Sequence, residues 1–173
     1  MNGICRKGFT LVEIVVVLFL LTIVSLIFGN IIMTAIISAY ENQSINEARM
    51  VGEAVCDFFE RELRFAADME IGENSKSLPD SISMNAGLLK KNNENVYPAD
   101  YYHDMVLSYK TDRIDDKILS VEITVGRKRG PSSIEELFKE VLTIRPVNMS
   151  LPESHNEITG TVTGNNLRIY YSK

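Results

Sequence analysis

The hydrophobic pattern divides the chain into an apolar amino-terminal run and a longer part in which apolar and polar residues are mixed. The run from Ile14 to Tyr40 contains no charged residue over 27 positions. About 20 apolar residues cross the hydrocarbon core of a membrane as a helix, so this run predicts one membrane-spanning helix. Glu13 stands at its start. Because a carboxylate inside a membrane is costly, its presence there indicates a function.

The helical pattern continues beyond the apolar run with polar residues on one side. One stripe at helical spacing contains apolar and small residues, namely Ile45, Ala48, Gly52, Val55, Cys56, Phe59, Leu63 and Ala66. No proline interrupts residues 9–67, so the sequence predicts one continuous helix over that range. Gly52, inside the stripe, predicts a close approach between this helix and a sheet.

The next part of the chain changes from irregular to alternating. Residues 70–104 are polar and rich in glycine, asparagine and proline, which predicts a long surface loop with at most one short helix or strand. Apolar and polar residues then alternate over residues 105–110 and 117–125, and this predicts two strands. The acidic stretch at residues 112–116 is typical of the turn between them.

The carboxyl-terminal part contains three further signals. Residues 132–136 have capping-box spacing, which predicts a short helix through residue 139, and residues 141–145 predict a third strand. Residues 158–163 and 167–171 flank Gly164 and Asn165, a dipeptide typical of a hairpin turn. Together these elements predict an α+β fold, in which a long amino-terminal helical stem packs on an antiparallel β-sheet of four or five strands.

A short motif at the start of the apolar run adds a family resemblance. The motif reads Arg6-Lys7-Gly8-Phe9-Thr10-Leu11-Val12-Glu13. It resembles the class III signal of type IV prepilins and of the pseudopilins of type II secretion systems. In that family a membrane prepilin peptidase cuts after the glycine and methylates the new amino terminus. The resemblance therefore implies cleavage between Gly8 and Phe9, methylation of Phe9, and a leader that carries the basic residues Arg6 and Lys7.

The same resemblance implies a division of the chain. Residues 1–8 form the leader that prepilin peptidase removes, and residues 9–40 form the membrane-spanning, filament-core half of the helix. Residues 41–173 form an exported globular domain that includes the amphipathic half of the helix.

Glu13 also has a physical role that does not depend on the family. A carboxylate inside a bilayer or a filament core is tolerated when it is paired, and cleavage would create one cation at the same depth, the Phe9 amine. A neighbouring subunit's Glu13 could approach that amine if the helices stagger. Such pairing would set axial register, as a buried polar group does in a coiled coil. We therefore assign Glu13, with Thr10, to assembly and register.

An ordinary secretory signal is the alternative interpretation of the apolar run. Such a signal has an apolar core of about 7–15 residues followed by a cleavage site of small residues. The run from Ile14 to Tyr40 is longer, and residues 37–39 form a poor cleavage site.

Charge predicts the orientation of the chain and argues against bulk electrostatic binding. Net charge is −5, and loss of Arg6 and Lys7 with the leader would make it −7 (−5 minus 2). An acidic domain has no bulk attraction for nucleic acid or anionic lipid. Arg6 and Lys7 precede the apolar run, and the next cation is Arg49. By the positive-inside rule the amino terminus lies in the cytoplasm and the domain lies outside.

Cysteine content excludes a disulfide within the mature domain. Cys5 lies in the predicted leader, which leaves Cys56 alone. Many type IV pilins of Gram-negative bacteria close their carboxyl-terminal loop with a disulfide, and this chain departs from that pattern. We interpret Cys56 as a small buried apolar residue.

No arrangement of residues predicts catalysis, a cofactor or a metal. His103 and His155 stand alone in polar surroundings, so we interpret both as surface residues. Asp112, Asp115 and Asp116 lack the spacing of a calcium loop and are typical of a solvated turn. We therefore expect that the protein is not an enzyme.

Three consecutive cations, Arg127, Lys128 and Arg129, lie between two glycines. In a DNA-uptake filament they could contact phosphates, although three contacts would contribute only weak, salt-dependent affinity. The segment lacks neighbouring aromatic residues for base stacking. A charged hairpin tip is therefore the favoured interpretation, and nucleic-acid contact is the alternative.

These observations predict a structural protein. The chain is interpreted as a minor pilin or pseudopilin that assembles into, primes or caps a type IV pilus-like filament at the cell surface or in the periplasm. Its partners would be prepilin peptidase, other pilins and the cytoplasmic membrane. Residues 59–67 also resemble a stretch of the W-type and J-type minor pilins. The alternatives are a DNA-contacting subunit of a competence pilus and a signal-anchored surface protein that does not polymerise.

Overall fold

The computed structural model describes residues 10–72, 78–130, 133–150, 157–160 and 163–173. The chain divides into two compact units, Met1–Gln43 and Ser44–Lys173. The predicted cleavage residues Gly8 and Phe9 lie outside the described residues, as do the leader cations and His155.

The described part of the first unit consists of one helix segment. Helix α1 comprises Leu11–Leu63, and its residues 11–43 belong to this unit. Their side chains are exposed on every side of the helix although they are predominantly apolar. By length and composition this helix is able to cross a membrane, a property that a signal sequence near the amino terminus also has.

The second unit contains the rest of α1, which buries one face. The buried residues are Ala48, Val51, Gly52, Val55, Cys56, Phe58, Phe59, Glu62 and Leu63. Most of the predicted stripe is therefore confirmed, but Ile45 is 45% exposed, so the buried face begins at Ala48. The helix ends at Leu63 rather than near residue 67, and Ala66 is fully buried in the turn that follows.

Six short strands form one sheet. They are β1 (Asp68–Ile71), β2 (Asp80–Asn85), β3 (Leu88–Lys91), β4 (Glu94–Asn95), β8 (Ile158–Gly160) and β10 (Ile169–Ser172). The spatial order is β4-β3-β2-β10-β1-β8. Strand β8 runs parallel to β1, and the other neighbouring pairs are antiparallel.

A second sheet contains the long strands. They are β5 (Met105–Asp115), β6 (Ile118–Lys128) and β7 (Ile134–Ile144), with the short β9 (Thr163–Asn165). The order is β7-β6-β5-β9 and all pairs are antiparallel. Two 3-10 helices, Ala99–Tyr102 and Asn148–Ser150, complete the described elements. The predicted α+β class is confirmed, but the single sheet of four or five strands is replaced by sheets of six and four.

The prediction of a long loop at residues 70–104 is wrong. Strands β2, β3 and β4 and a 3-10 helix occupy most of its described part. The residues that suggested a loop form tight turns between these strands, and Gly87, Asn92 and Asn93 all have positive φ. Because each strand is short, its alternation is too brief to stand out from the turn residues around it.

The predicted helix within residues 132–139 is also wrong. Residues 134–139 belong to β7, and residues 141–144 of the predicted third strand are the carboxyl-terminal part of that same strand. Strand β7 pairs with β6 over its whole length, with one irregularity beside Gly126. Pairing with a long neighbouring strand has therefore overridden the local capping signal.

The predicted carboxyl-terminal hairpin does not form. Strands β8 and β10 lie on opposite sides of β1, and Gly164 and Asn165 belong to β9, which pairs with β5. The predicted turn at residues 112–116 also moves, because β5 extends through Asp115 and β6 begins at Ile118. The strand signals before and after that turn are confirmed, and both strands are longer than predicted.

The core of the second unit lies against the buried face of α1. The rings of Phe59 and Tyr109 meet edge to face with centroids 5.3 Å apart, which joins the helix to the sheet of long strands. At Gly52 an added Cβ would overlap the ring of Phe138. The predicted close approach of helix and sheet at Gly52 is therefore confirmed.

Candidate functional site

Thr10 and Glu13 form a capping box at the start of α1. The Thr10 backbone N–H and hydroxyl both donate to Glu13 Oε2, at 2.8 and 2.9 Å. The Glu13 backbone N–H donates in return to Thr10 Oγ1 at 3.3 Å. These bonds satisfy backbone groups that a helix start otherwise leaves without partners. Within its own chain, Glu13 therefore stabilises the helix start.

The same geometry leaves half of the Glu13 carboxylate available. Both bonds that the side chain accepts end on Oε2, and Oε1 accepts none from the described residues. A carboxylate has lone pairs for several donors, so Glu13 can keep its cap and still bind a cation. An acid at a helix amino terminus is also favoured by the helix dipole. The Phe9 amine and the cleavage point lie outside the described residues and remain predictions.

A second carboxylate, Glu62, lies in the core of the second unit and was missed by the sequence interpretation. Its side chain is 12% exposed. Three donors converge on Oε2: the Lys91 ammonium at 2.7 Å, the Tyr171 hydroxyl at 2.8 Å and the Lys173 ammonium at 2.9 Å. A signal was available, because Glu62 is three residues after Phe59 and therefore on the apolar face of the helix.

Hydrogen bonds decide the charge of Glu62. Burial by itself raises the pKa of this carboxyl, but the bonds from Lys91, Lys173 and Tyr171 outweigh it and lower the pKa from 4.5 to about 2. Glu62 is therefore ionised at neutral pH. It connects α1 with β3 and with the carboxyl-terminal residue.

Cys56 is a buried free thiol, as the sequence predicted. Its Sγ lies 3.6 Å from Glu140 Oε2. Burial and the negative charge of Glu140 raise the pKa of the Cys56 thiol to about 12. Because the thiolate is the reactive form, this cysteine is protected from oxidation and exchange at neutral pH.

The three cations predicted at a turn lie at the end of β6. Arg127 and Lys128 close the strand, and Arg129 follows it. The Arg129 Nε forms an ion pair with Glu135. Neither Arg127 nor Lys128 has an ion pair or side-chain hydrogen bond in the part of the chain that the structure describes. Two of the three cations are therefore available to a ligand.

The other polar candidates do not form a site. His103 is exposed and follows a 3-10 helix, and Asp115 Oδ1 accepts a hydrogen bond from the backbone of Asp116 at 2.7 Å. Within the described ranges, no three histidine, cysteine, aspartate or glutamate side chains lie close enough together to hold a metal ion.

Comparison with known proteins identifies the amino-terminal segment. Residues 5–29 match the family model of the prokaryotic N-terminal methylation motif. The chain therefore carries a type IV prepilin-like signal, and the match supports a type IV pilin-like protein that prepilin peptidase processes. No curated protein and no solved structure matches the chain.

Proposed function

We propose that this chain is a minor pilin or pseudopilin, a structural subunit that assembles into, primes or caps a type IV pilus-like filament. The observation that carries this proposal is the position of Glu13 within the matched segment. It lies at the start of a helix segment whose apolar residues are exposed on every side, and one of its carboxylate oxygens accepts no bond from the described residues.

Because the apolar surface of the helix must stay covered, this subunit would leave a membrane only by entering a filament. A helix that is hydrophobic all round requires lipid or other helices around it. The Glu13 carboxylate would bind the Phe9 amine of a neighbouring subunit through Oε1, while Oε2 keeps the bonds from Thr10. Assembly would then replace lipid contacts with helix contacts and pair two charges at low dielectric.

The orientation and subtype extend the same proposal. Arg6 and Lys7 precede the helix, which supports a cytoplasmic amino terminus and a second unit outside the membrane. The resemblance of residues 59–67 to W-type and J-type minor pilins supports a minor subunit. We propose a scaffold role without catalysis, in pilus assembly, type II secretion or DNA uptake.

The DNA-contacting role is the alternative that the structure weakens. The ion pair with Glu135 occupies Arg129, so two cations rather than three remain for phosphates. Each phosphate contact contributes a small, salt-dependent part of binding, and two contacts would hold a duplex poorly.

Processing tests the proposal directly. Co-expression of the full-length chain with a prepilin peptidase should remove residues 1–8 and leave a methylated Phe9, as measured by intact-protein mass spectrometry. Gly8→Ala should be processed far better than Gly8→Leu, because the peptidase must accept a small residue beside the bond it cuts. An intact leader, or cleavage after Ala39, would contradict the pilin assignment and favour a signal peptide or signal anchor.

A further inference from the structure

The second unit contains an open cleft at one end of the sheet of long strands. Its volume is about 730 Å³, within the range of roughly 300–1,000 Å³ that is typical of small-molecule sites. Its walls are the turn between β2 and β3, the start of β5 and the end of β6. The residues that matter here are Ala86, Gly87, Asp104, Met105, Arg127 and Lys128.

The side chain of Arg127 is partly buried although no described residue is its partner. Side chains alternate along a strand, so Arg127 leaves β6 on the same face as Val125, which is fully buried. Arg127 itself is half-buried. The acid on the neighbouring strand, Glu135, pairs with Arg129 instead. A partly desolvated guanidinium with no acceptor is unfavourable, and a bound anion would relieve that cost.

The charges in the cleft limit what the anion can be. Arg127 and Lys128 contribute two positive charges, and Asp104 contributes one negative charge. The net charge of the lining is therefore +1 (2 minus 1), which matches the single charge of a phosphodiester. Among the residues that the structure describes, no aromatic side chain lines the cleft, and these residues offer no stacking surface for a nucleobase.

We propose that this cleft binds the phosphate group of a small phosphodiester. The guanidinium of Arg127 supplies paired N–H donors that match two phosphate oxygens, and the Lys128 ammonium supplies a second charge. Asp104 opposes excess negative charge and favours a ligand that is singly charged or carries an amine. All of these residues belong to the second unit, so the proposal does not rest on the role proposed for Glu13.

The position of the cleft within its unit suggests two sources of phosphate. Helix α1 and β7 run in the same direction, since Gly52 lies beside Phe138 and Cys56 lies beside Glu140. The end of the sheet that carries Arg127 is therefore the end nearer to Ser44, where the chain enters this unit. The source would be a phospholipid headgroup or a soluble phosphate ester.

Calorimetry can distinguish these sources. The full-length chain in micelles of an uncharged detergent would be titrated with glycerophosphoglycerol, a soluble phosphodiester, and in a parallel experiment with micelles that contain phosphatidylglycerol, which carries the same phosphodiester. We expect saturable binding in at least one arm. Arg127→Gln/Lys128→Gln should weaken it by roughly tenfold or more, since two charge-assisted contacts are lost. Lys128→Gln alone, at an exposed position, should weaken binding less and guards against misfolding of the double variant.

Two controls separate a built site from bulk charge. Lys90→Gln/Lys110→Gln removes the same charge from strands β3 and β5 and should bind like the original chain. Asp104→Asn removes the opposing charge and should tighten binding a few-fold.

Each outcome of the titrations either supports one source of the phosphate or overturns the proposal. Binding of glycerophosphoglycerol supports a soluble phosphodiester, and binding of lipid micelles alone supports a headgroup. Absence of binding in both arms would overturn the proposal. Equal losses of binding in Arg127→Gln/Lys128→Gln and in Lys90→Gln/Lys110→Gln would also overturn it. Binding of duplex DNA that depends on Arg127 and Lys128, with no binding of either probe, would also overturn the proposal and would indicate a nucleic-acid contact instead.

Discussion

Glu62 and Lys173 are 111 residues apart in the chain, yet the Lys173 ammonium lies 2.9 Å from Glu62 Oε2. This contact ties the carboxyl-terminal residue to the helix that begins the second unit. Tyr171 donates to the same oxygen from β10, and Lys91 does so from β3. The second unit, Ser44–Lys173, has one cysteine and therefore no internal disulfide. Glu62 therefore holds the carboxyl-terminal residues against the helix through hydrogen bonds and ion pairs and without a covalent bond.

Removal of the Glu62 charge should destabilise the second unit. Loss of one member of a fully buried ion pair costs about 3–5 kcal/mol. The side chains of Lys91 and Lys173 are 34% and 42% exposed, and solvent screening reduces the loss. For Glu62→Gln we expect the free energy of unfolding to fall by about 1–3 kcal/mol, as measured by urea denaturation of the full-length chain in micelles.

The matched control for Glu62 is an exposed ion pair on the same helix. Arg49 and Glu53 form an i,i+4 pair with a distance of 2.8 Å, and both side chains are more than half exposed. Glu53→Gln should lower the free energy of unfolding by less than about 0.5 kcal/mol. Equal effects of the two substitutions would show that Glu62 does not hold the fold together.

Glu62 also predicts how stability depends on pH. Its pKa is lower in the folded chain, about 2, than its ordinary value of 4.5. The unfolded chain therefore takes up this proton first as the pH falls. The contribution of Glu62 to stability is complete above about pH 4.5 and is lost as the pH falls from there towards about 2. Chemical denaturation at a series of pH values should show this loss.

The comparison with Glu62→Gln isolates this group from the other carboxyls. The glutamine variant cannot titrate at position 62, so its free energy of unfolding should fall less over the same pH range. Identical pH profiles of the two chains would contradict the lowered pKa.

The close approach at Gly52 predicts a steric effect. In Gly52→Ala the new Cβ would overlap the Phe138 ring, so helix and sheet must separate or the ring must move. Forcing extra volume into a packed contact typically costs about 1–3 kcal/mol, and we expect that loss in the free energy of unfolding. Gly52→Ala/Phe138→Leu should recover part of it, because the smaller side chain removes the overlap.

Gly29 supplies the control for the helix propensity of alanine. A Cβ at Gly29 would meet no atom within 4 Å, so Gly29→Ala changes the same residue type in the same helix without a clash. The second unit of this variant should unfold like that of the original chain. A similar loss in Gly29→Ala and Gly52→Ala would rule out the contact with Phe138 as the cause.

Substitutions at Glu13 separate the helix cap from the charge. Glu13→Val removes both, whereas Glu13→Gln keeps an oxygen that can accept the bonds from Thr10. Both variants should still be cleaved after Gly8, because position 13 lies beyond the cut. Both should be depleted from filaments, since an unpaired Phe9 amine in a filament core costs about 3–5 kcal/mol.

The measurement compares sheared filaments with the membrane fraction when each variant is expressed beside its partner pilins. Thr10→Ala weakens the cap and keeps the charge, so it should be incorporated better than either Glu13 variant. Normal incorporation of Glu13→Gln together with loss of Glu13→Val would show that the cap, not the charge, is required. Normal incorporation of both variants would refute the register role of Glu13. It would indicate that this subunit lies at the filament tip, where no neighbour presents an amine.

Local signals in the sequence were sufficient for the helix and its special positions. The stripe of apolar residues predicted the buried face of α1, and Gly52 within it predicted the contact with the sheet. Thr10 and Glu13 were both identified, although their capping bonds became visible only in the structure. The stripe and the cap depend on residues within a few helical turns of each other, where spacing along the chain determines spacing in the fold, whereas at Gly52 the sequence indicated the close approach but not Phe138 as the partner.

Tertiary structure decided the features that depend on distant residues. Strand β7 has a capping-box signal but pairs with β6, and Gly164 and Asn165 have a turn signal but pair with β5. Glu62 looked like one more acid on a charged helix until Lys91, Tyr171 and Lys173 were brought to it. A strand or a buried charge is stabilised by partners from elsewhere in the chain, so local periodicity determined the helix and long-range pairing determined the sheets and the closure of the domain.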